Sequence, residues 1–201
     1  WLEGRMIFNA SAFIAKYEDK QESILVPVDL SNVATVVRNA ASLDMNGLEL
    51  ELMYQITDAW DVMTNYGYMQ SEFDEYLADL NGDNIITDNA GLTPRNTPEN
   101  TFGLTTSYTV PVGNGDLKTR LSYRFRDKME ANASNAALGT LDSIDNLNAT
   151  VTYSFDNYSI SVFGQNITDE REQRWSTIGG LTSRGWWNEG ARYGIEFSAE
   201  F

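Results

Sequence analysis

The chain has 201 residues, 42% hydrophobic and 12% aromatic, with a formal net charge of −15 at pH 7 and neither Cys nor His. The acidic balance argues against a nucleic-acid partner. The missing residue types exclude disulfides, thiolate metal sites, and both the commonest zinc ligand and the usual general base.

No run of about 18 apolar residues is present, so no transmembrane helix is expected. The mean hydropathy of −0.37 does not argue against a membrane. Barrel strands turn only every second residue to lipid, and averaging windows miss them. The chain opens Trp1-Leu2-Glu3-Gly4, with no signal peptide and no Met, as a mature or cut product would.

Residues 4–18 predict a first strand, imperfectly alternating because Ile7 and Phe8 are both apolar. A polar turn is expected around Glu18–Ser23, with Pro27 breaking the run. Residues 33–57 read as one long strand with a possible bulge at Asp44–Gly47. Within it Leu48, Leu50, Leu52, Tyr54 and Ile56 share one face, and Glu49, Glu51, Met53 and Gln55 the other. Trp60 to Tyr68 runs back, and 77–98 reads as a long polar loop.

Phe102, Leu104, Thr106, Tyr108 and Val110 form the next apolar face. Pro111–Asp116 turns. Leu117, Thr119, Leu121, Tyr123 and Phe125 return, backed by Lys118, Arg120, Ser122, Arg124 and Arg126. Residues 131–143 read as a loop. Leu147 to Phe155 alternates again, Asp156-Asn157 suits a two-residue turn, and Tyr158 starts the following strand. Residues 170–188 form another long loop. The last stretch, Arg192 to Phe201, holds a period of two to its final residue.

About eight antiparallel strands result. Their short connections fall at one end and their long ones at the other, the asymmetry of an outer-membrane barrel with short periplasmic turns and longer external loops. The polar face, with Glu49, Glu51, Arg120, Arg124, Arg126 and Glu196, needs water and suits a wet lumen. Rings near strand ends, such as Trp60, Tyr68, Tyr153 and Phe155, suit interfacial girdles. A soluble β-sandwich is the competing reading.

Several stretches then carry a family resemblance: Asn39-Ala-Ala followed by Gly47-Leu-Glu-Leu-Glu-Leu, Asn65-Tyr-Gly-Tyr, Arg95-Asn-Thr-Pro-Glu-Asn-Thr-Phe, Tyr123-Arg-Phe-Arg-Asp-Lys, Gly164-Gln-Asn-Ile-Thr-Asp-Glu-Arg, and Arg192-Tyr-Gly-Ile-Glu-Phe to Phe201. In that order they resemble the C-terminal third of a TonB-dependent outer-membrane receptor. The resemblance implies that residues 1–201 are the C-terminal part of a barrel of ~22 strands, without the plug domain. It further implies location in the outer membrane and active uptake of a scarce nutrient such as a metal chelate, glycan or vitamin.

The implied partners are outer-membrane lipid and lipopolysaccharide, the remaining strands and plug, a TonB-type energy-coupling protein and the barrel-assembly machinery. Cut edges in lipid would leave backbone groups unpaired, so the chain is expected to be a fragment of a longer polypeptide or of a split assembly. Two other readings compete with uptake: a complete eight-strand barrel with a structural or adhesive role, and a soluble extracellular β-domain.

Four groups of residues stand out as candidate sites. Arg174, Trp175, Arg184, Trp186 and Trp187 crowd one long loop, and aromatics with Arg are recognition groups. Arg120 and Arg124 could attract an anionic substrate. Asp79, Asn81 and Asp83 resemble the start of a calcium loop, but Ala90 stands where its last carboxylate belongs. No cofactor is expected beyond a possible structural Ca²⁺ in that external loop. Gly194, Phe197 and Phe201 form the expected assembly signal. Glu49 and Glu51 pair carboxylates without a nucleophile or metal set, so no enzymatic activity is expected.

Overall fold

The computed structural model describes residues 2–27, 33–80, 83, 85–136, 139–171, 173–179 and 182–200. Its strands are β1 (Met6–Pro27), β2 (Val33–Thr57), β3 (Trp60–Ala78), β4 (Thr87–Asp88), β5 (Asn100–Val112), β6 (Gly115–Arg126), β7 (Met129–Glu130), β8 (Thr140–Leu141), β9 (Ile144–Phe155), β10 (Tyr158–Gln165), β11 (Gln173–Gly179), β12 (Thr182–Trp187) and β13 (Arg192–Ala199). The main sheet follows β1-β2-β3-β5-β6-β9-β10-β13, each neighbour antiparallel, with β4 added beside β3. Among the described residues β1 and β13 end this path without pairing to each other, so the arc is open.

Short links lie between Thr57 and Trp60, Val112 and Gly115, and Phe155 and Tyr158, all at one end. Two of these turns use left-handed backbone, with Gly113 at φ 61 and Asp156 at φ 48. The segments 79–99, 127–143 and 166–191 lie at the other end.

Register fixes which side chains share a face, because directly opposed residues point the same way. Leu50, Tyr66 and Phe102 form one such row across β2, β3 and β5. Continued around the arc, that face carries Leu121, Val151, Val162 and Ile195. These side chains do not close on a dry centre. Val162 is 53% exposed and Ile195 77%, as a lipid-facing surface requires. The opposite face carries Glu51, Asn65, Gly103, Arg124 and Asn146 in register, and is the lumen face.

Rings gather at the short-turn end of the lipid face. Tyr153 stacks on Phe155 at 5.4 Å, Phe155 meets Tyr158 at 5.7 Å, and Tyr158 meets Phe197 at 6.0 Å. Two rings there also place a polar atom: Trp60 Nε1 donates to Thr106 Oγ1 at 2.8 Å, and Tyr153 OH to the Val112 carbonyl at 3.0 Å. An aromatic body with one satisfied polar tip fits a membrane interface.

Three strands run past the apolar band at the opposite, long-loop end. In β2 the lipid-face residues turn polar at Asn46, Asp44 and Ser42, while the lumen-face residues turn apolar at Met45, Leu43 and Ala41. β3 changes at the same level, where Gln70 and Glu72 succeed Tyr66 and Tyr68 on one face and Phe73 appears on the other. In β1, Ile14 pairs with Asn46 and is followed on its face by Lys16, which is ion-paired to Asp44 at 2.9 Å. Beyond the hydrocarbon the outer face meets water, so the apolar residues move to the side that loops can cover.

The described buried core sits there. Ala41, Leu43, Phe73, Tyr76 and Ala78 pack together, with Leu80, Ala90, Leu92 and Ala133 laid against them from the loops.

Several boundaries differ from the sequence reading. The expected turn at Glu18–Ser23 is strand, which runs on to Pro27, where the expected break falls. Polar residues suit this stretch because it lies beyond the bilayer. Asp19, at φ 54, lets the chain pass a register irregularity without turning back. The expected bulge at Asp44–Gly47 is absent; register slips instead between Ser42 and Leu43, where Asp74 of β3 is the extra residue. The 170–188 loop holds the β11–β12 hairpin. Among the described residues no second large sheet packs face to face on the first, as a sandwich would need.

Candidate functional site

The lumen face is ordered by charge. Glu49 and Glu51 form an acidic strip on β2, with Asn9 Nδ2 donating to Glu51 Oε2 at 3.4 Å. Next comes a low valley on β3 and β5, where Asn65 faces Gly103 and Gly67 faces Thr101. The Asn65 amide occupies the space above Gly103: a Cβ there would lie 2.3 Å from Asn65 Oδ1. Lys118, Arg120, Arg124 and Arg126 then make a basic ridge on β6.

Beyond the ridge, β9 and β10 present amides and hydroxyls, with Thr152 and Ser161 hydrogen-bonded at 2.8 Å. Three inter-strand steps separate acid strip from basic ridge, roughly 14 Å. That spacing rules out direct pairing of Glu49 or Glu51 with Arg120 or Arg124, and leaves a lumen wall with opposite charges on its two sides.

Two aromatic rings lie flat on this wall over glycines. Phe13 pairs with Gly47 and Phe163 with Gly194. In each case the ring fills the space of the missing side chain, which protects an otherwise open patch of backbone.

At the long-loop end, amide side chains weld the connections in place. Asn89 Nδ2 donates to the carbonyls of Tyr76, Ala78 and Thr87 at 3.2, 3.0 and 2.9 Å. Asn135 ties two loops together: its Oδ1 accepts from the Thr93 amide at 2.6 Å and its Nδ2 donates to the Thr93 carbonyl at 2.9 Å. Asn166, 6% exposed and at φ 50, closes the base of the 166–191 segment. Its amide N–H donates to Asn148 Oδ1 at 2.8 Å, and its Nδ2 donates to the carbonyls of Glu170 and Glu189 at 2.9 and 3.1 Å.

Within Gly164-Gln-Asn-Ile-Thr-Asp the bonds made by Asn166 are not apparent from the residues alone. An Asn one residue past a strand, followed by Thr and Asp, was the available signal.

A buried ionic group lies on β1, beside the 79–99 loop. Glu22 is fully buried, accepts a hydrogen bond from Lys20 Nζ through Oε1, and meets Arg95 Nη2 at 3.0 Å through Oε2. Burial, aided by the Arg95 charge, holds the Lys20 ammonium below its ordinary pKa. Burial also raises the phenol of Tyr76 above its ordinary value.

The structure separates the sequence-derived candidates. Arg120 and Arg124 lie on the lumen ridge, Arg120 opposite Ser107 and Thr150, Arg124 opposite Gly103 and Asn146. Trp186 and Trp187 lie on the β12 arm of the hairpin, 74% and 63% exposed. Its backbone places Trp175 opposite Trp186 and Arg184 opposite Thr177, while the side chains of Arg174, Trp175 and Arg184 lie outside the described residues. The candidates therefore form two places, the lumen ridge and the hairpin.

Asn81 of the calcium-loop candidate also lies outside the described residues. Asp83 Oδ1 accepts the Ile85 amide at 2.8 Å, and among the described residues no group of three or more acidic side chains is gathered for a metal. Gly194 faces the lumen under Phe163, Phe197 is 63% exposed on the lipid face, and Phe201 lies outside the described residues.

The arc has close counterparts among solved structures. It superposes on the ferric yersiniabactin uptake receptor FyuA of Yersinia pestis with TM-score 0.76 and 19% identity, covering 98% of this chain and 28% of that one. It likewise matches the siderophore receptor PiuA of Acinetobacter baumannii, with TM-score 0.73, 19% identity, and coverage of 98% and 26%. The ferripyoverdine receptor of Pseudomonas aeruginosa matches with TM-score 0.62, 16% identity, and coverage of 98% and 25%.

At such identities the likeness is one of fold, and the chain spans about a quarter of each receptor's length. No curated protein matches it by sequence. The family model for TonB dependent receptor-like β-barrels matches residues 1–167. With its meander, its two-faced strands and its charged inner wall, the chain belongs to the TonB-dependent receptor β-barrel family.

Proposed function

We propose that this chain is the C-terminal part of the barrel of an outer-membrane receptor that actively takes up a scarce nutrient, of the metal-chelate, glycan or vitamin kind. The observation that carries the reading is the lumen wall: a polar, charge-ordered surface on strands whose other face is built for lipid. A polar bore through hydrocarbon serves passage, and its basic ridge favours anionic cargo. The remaining strands and plug, a TonB-type energy-coupling protein, lipid and lipopolysaccharide around the rim, and the barrel-assembly machinery complete the proposed set of partners.

The test is growth and uptake. Deleting the encoding gene should abolish energy-dependent uptake of at least one chelate, glycan or vitamin at limiting concentration. For an anionic substrate, Arg124→Glu should raise the concentration for half-maximal uptake about tenfold, the equivalent of roughly 1.4 kcal/mol, with receptor levels unchanged. Identical growth of deletion and parent strains on every such nutrient would refute the reading.

The end of β13 serves, in this proposal, as the assembly signal, with Gly194, Phe197 and Phe201 as its elements. Removing Phe201 should lower the amount of folded, heat-modifiable protein in the outer membrane several-fold. Parental levels of the shortened protein would count against that role.

A further inference from the structure

Charges from two different elements converge on Glu22. Lys20 stands two residues before it on β1, with its ammonium also 5.7 Å from the Phe73 ring centroid. Arg95 comes from the 79–99 loop. Lys20 and Arg95 keep a quarter and a third of their side chains exposed, whereas the carboxylate between them keeps none. Leaving a buried carboxylate unpaired is costly, yet apolar residues of the same volume often stabilise a fold as well as the ion pair does. What charges add is direction. An apolar loop can slide over an apolar floor and lose little, but moving Arg95 off Glu22 leaves the buried carboxylate short of a counter-charge.

The neighbours of Arg95 pass that placement on. Pro94 is fully buried beside it. Thr93 is bonded both ways to Asn135, and the Asn96 amide donates to the Glu130 carbonyl at 2.8 Å. All three bonds reach the 127–143 loop.

We propose that Glu22 is the keystone of a charge clamp that holds the 79–99 and 127–143 loops together as one fixed wall at the long-loop end of the barrel. The clamp acts on loop position and leaves the strands below it unaffected. It holds whatever the barrel transports, so its test is independent of uptake.

The experiment is backbone hydrogen exchange on the whole encoded protein, folded in detergent micelles, comparing the parent with Glu22→Gln and Arg95→Met. In both variants amides in 88–97 should exchange about tenfold faster and those in 130–136 should follow, while amides in 101–110 of β5 keep the parent rate. Arg95→Met keeps Glu22 paired with Lys20, so it serves where Glu22→Gln fails to assemble. The double variant should exchange no faster than the quicker single one, as expected for partners in one interaction. Parent-like exchange across 88–97 in Arg95→Met, or faster exchange spread evenly over the strands, would overturn the clamp.

Discussion

Val162→Arg should destabilise the assembled barrel by about 2–4 kcal/mol, the cost of a cation facing lipid near the bilayer midplane. Ser161→Arg, one residue away, should shift stability by less than about 1 kcal/mol. Val162 opposes Val151 and Ile195 on the lipid face, near the middle of β10. Ser161 opposes Thr152 and Glu196 on the lumen face. An Arg at Ser161 loses the bond to Thr152, worth about 1 kcal/mol, but gains water and the opposing Glu196 carboxylate. Unfolding midpoints in phospholipid vesicles measure both. Equal losses for the two variants would mean that the assignment of faces is wrong, and the reading of the inner wall would go with it.

Gly47→Val should cost about 1–3 kcal/mol, the usual penalty of overpacking. Gly47 lies in extended β2, so no special backbone angle explains it. The space is what matters. A Cβ at this position would sit 2.5 Å from the Tyr68 carbonyl oxygen and 2.6 Å from Phe13 Cζ. The ring can turn aside, but the carbonyl belongs to the neighbouring strand and cannot. Adding Phe13→Ala to Gly47→Val should therefore recover part of the loss and not all of it. Full recovery would show that the ring alone forbids a side chain here. No loss in Gly47→Val would show that the strands separate freely at this level, against the continuous register on both sides of β2.

The strand pattern was legible in the residues because each lipid-facing position must be apolar and its neighbours need not be. Leu48, Leu50 and Leu52 against Glu49 and Glu51 announce a two-faced strand without any coordinates. Polar character misled at the long-loop end. Glu18 to Ser23 read as a turn because polar runs usually are, whereas here they are strand that has left the bilayer. The exchange of apolar residues from Leu48 to Met45 and Leu43 is written in the chain. It becomes meaningful only once a membrane level is drawn across three strands.

The candidate site divides similarly. Arg120 and Arg124 were placed correctly on one strand face. That the acidic strip lies three strands away, out of reach of pairing, depends on strand order. Asn166 and Asn135 look like ordinary loop residues until their carbonyl partners are seen.

The alternation of residues was enough to announce antiparallel strands with one apolar and one polar face, but a dry core and a bilayer reward the same period of two, so which face looks out became clear only from register and exposure. How the loops are held depends on contacts that no local pattern announces. Glu22 and Arg95 are 73 positions apart, and the worth of a buried charge depends wholly on what the fold brings against it.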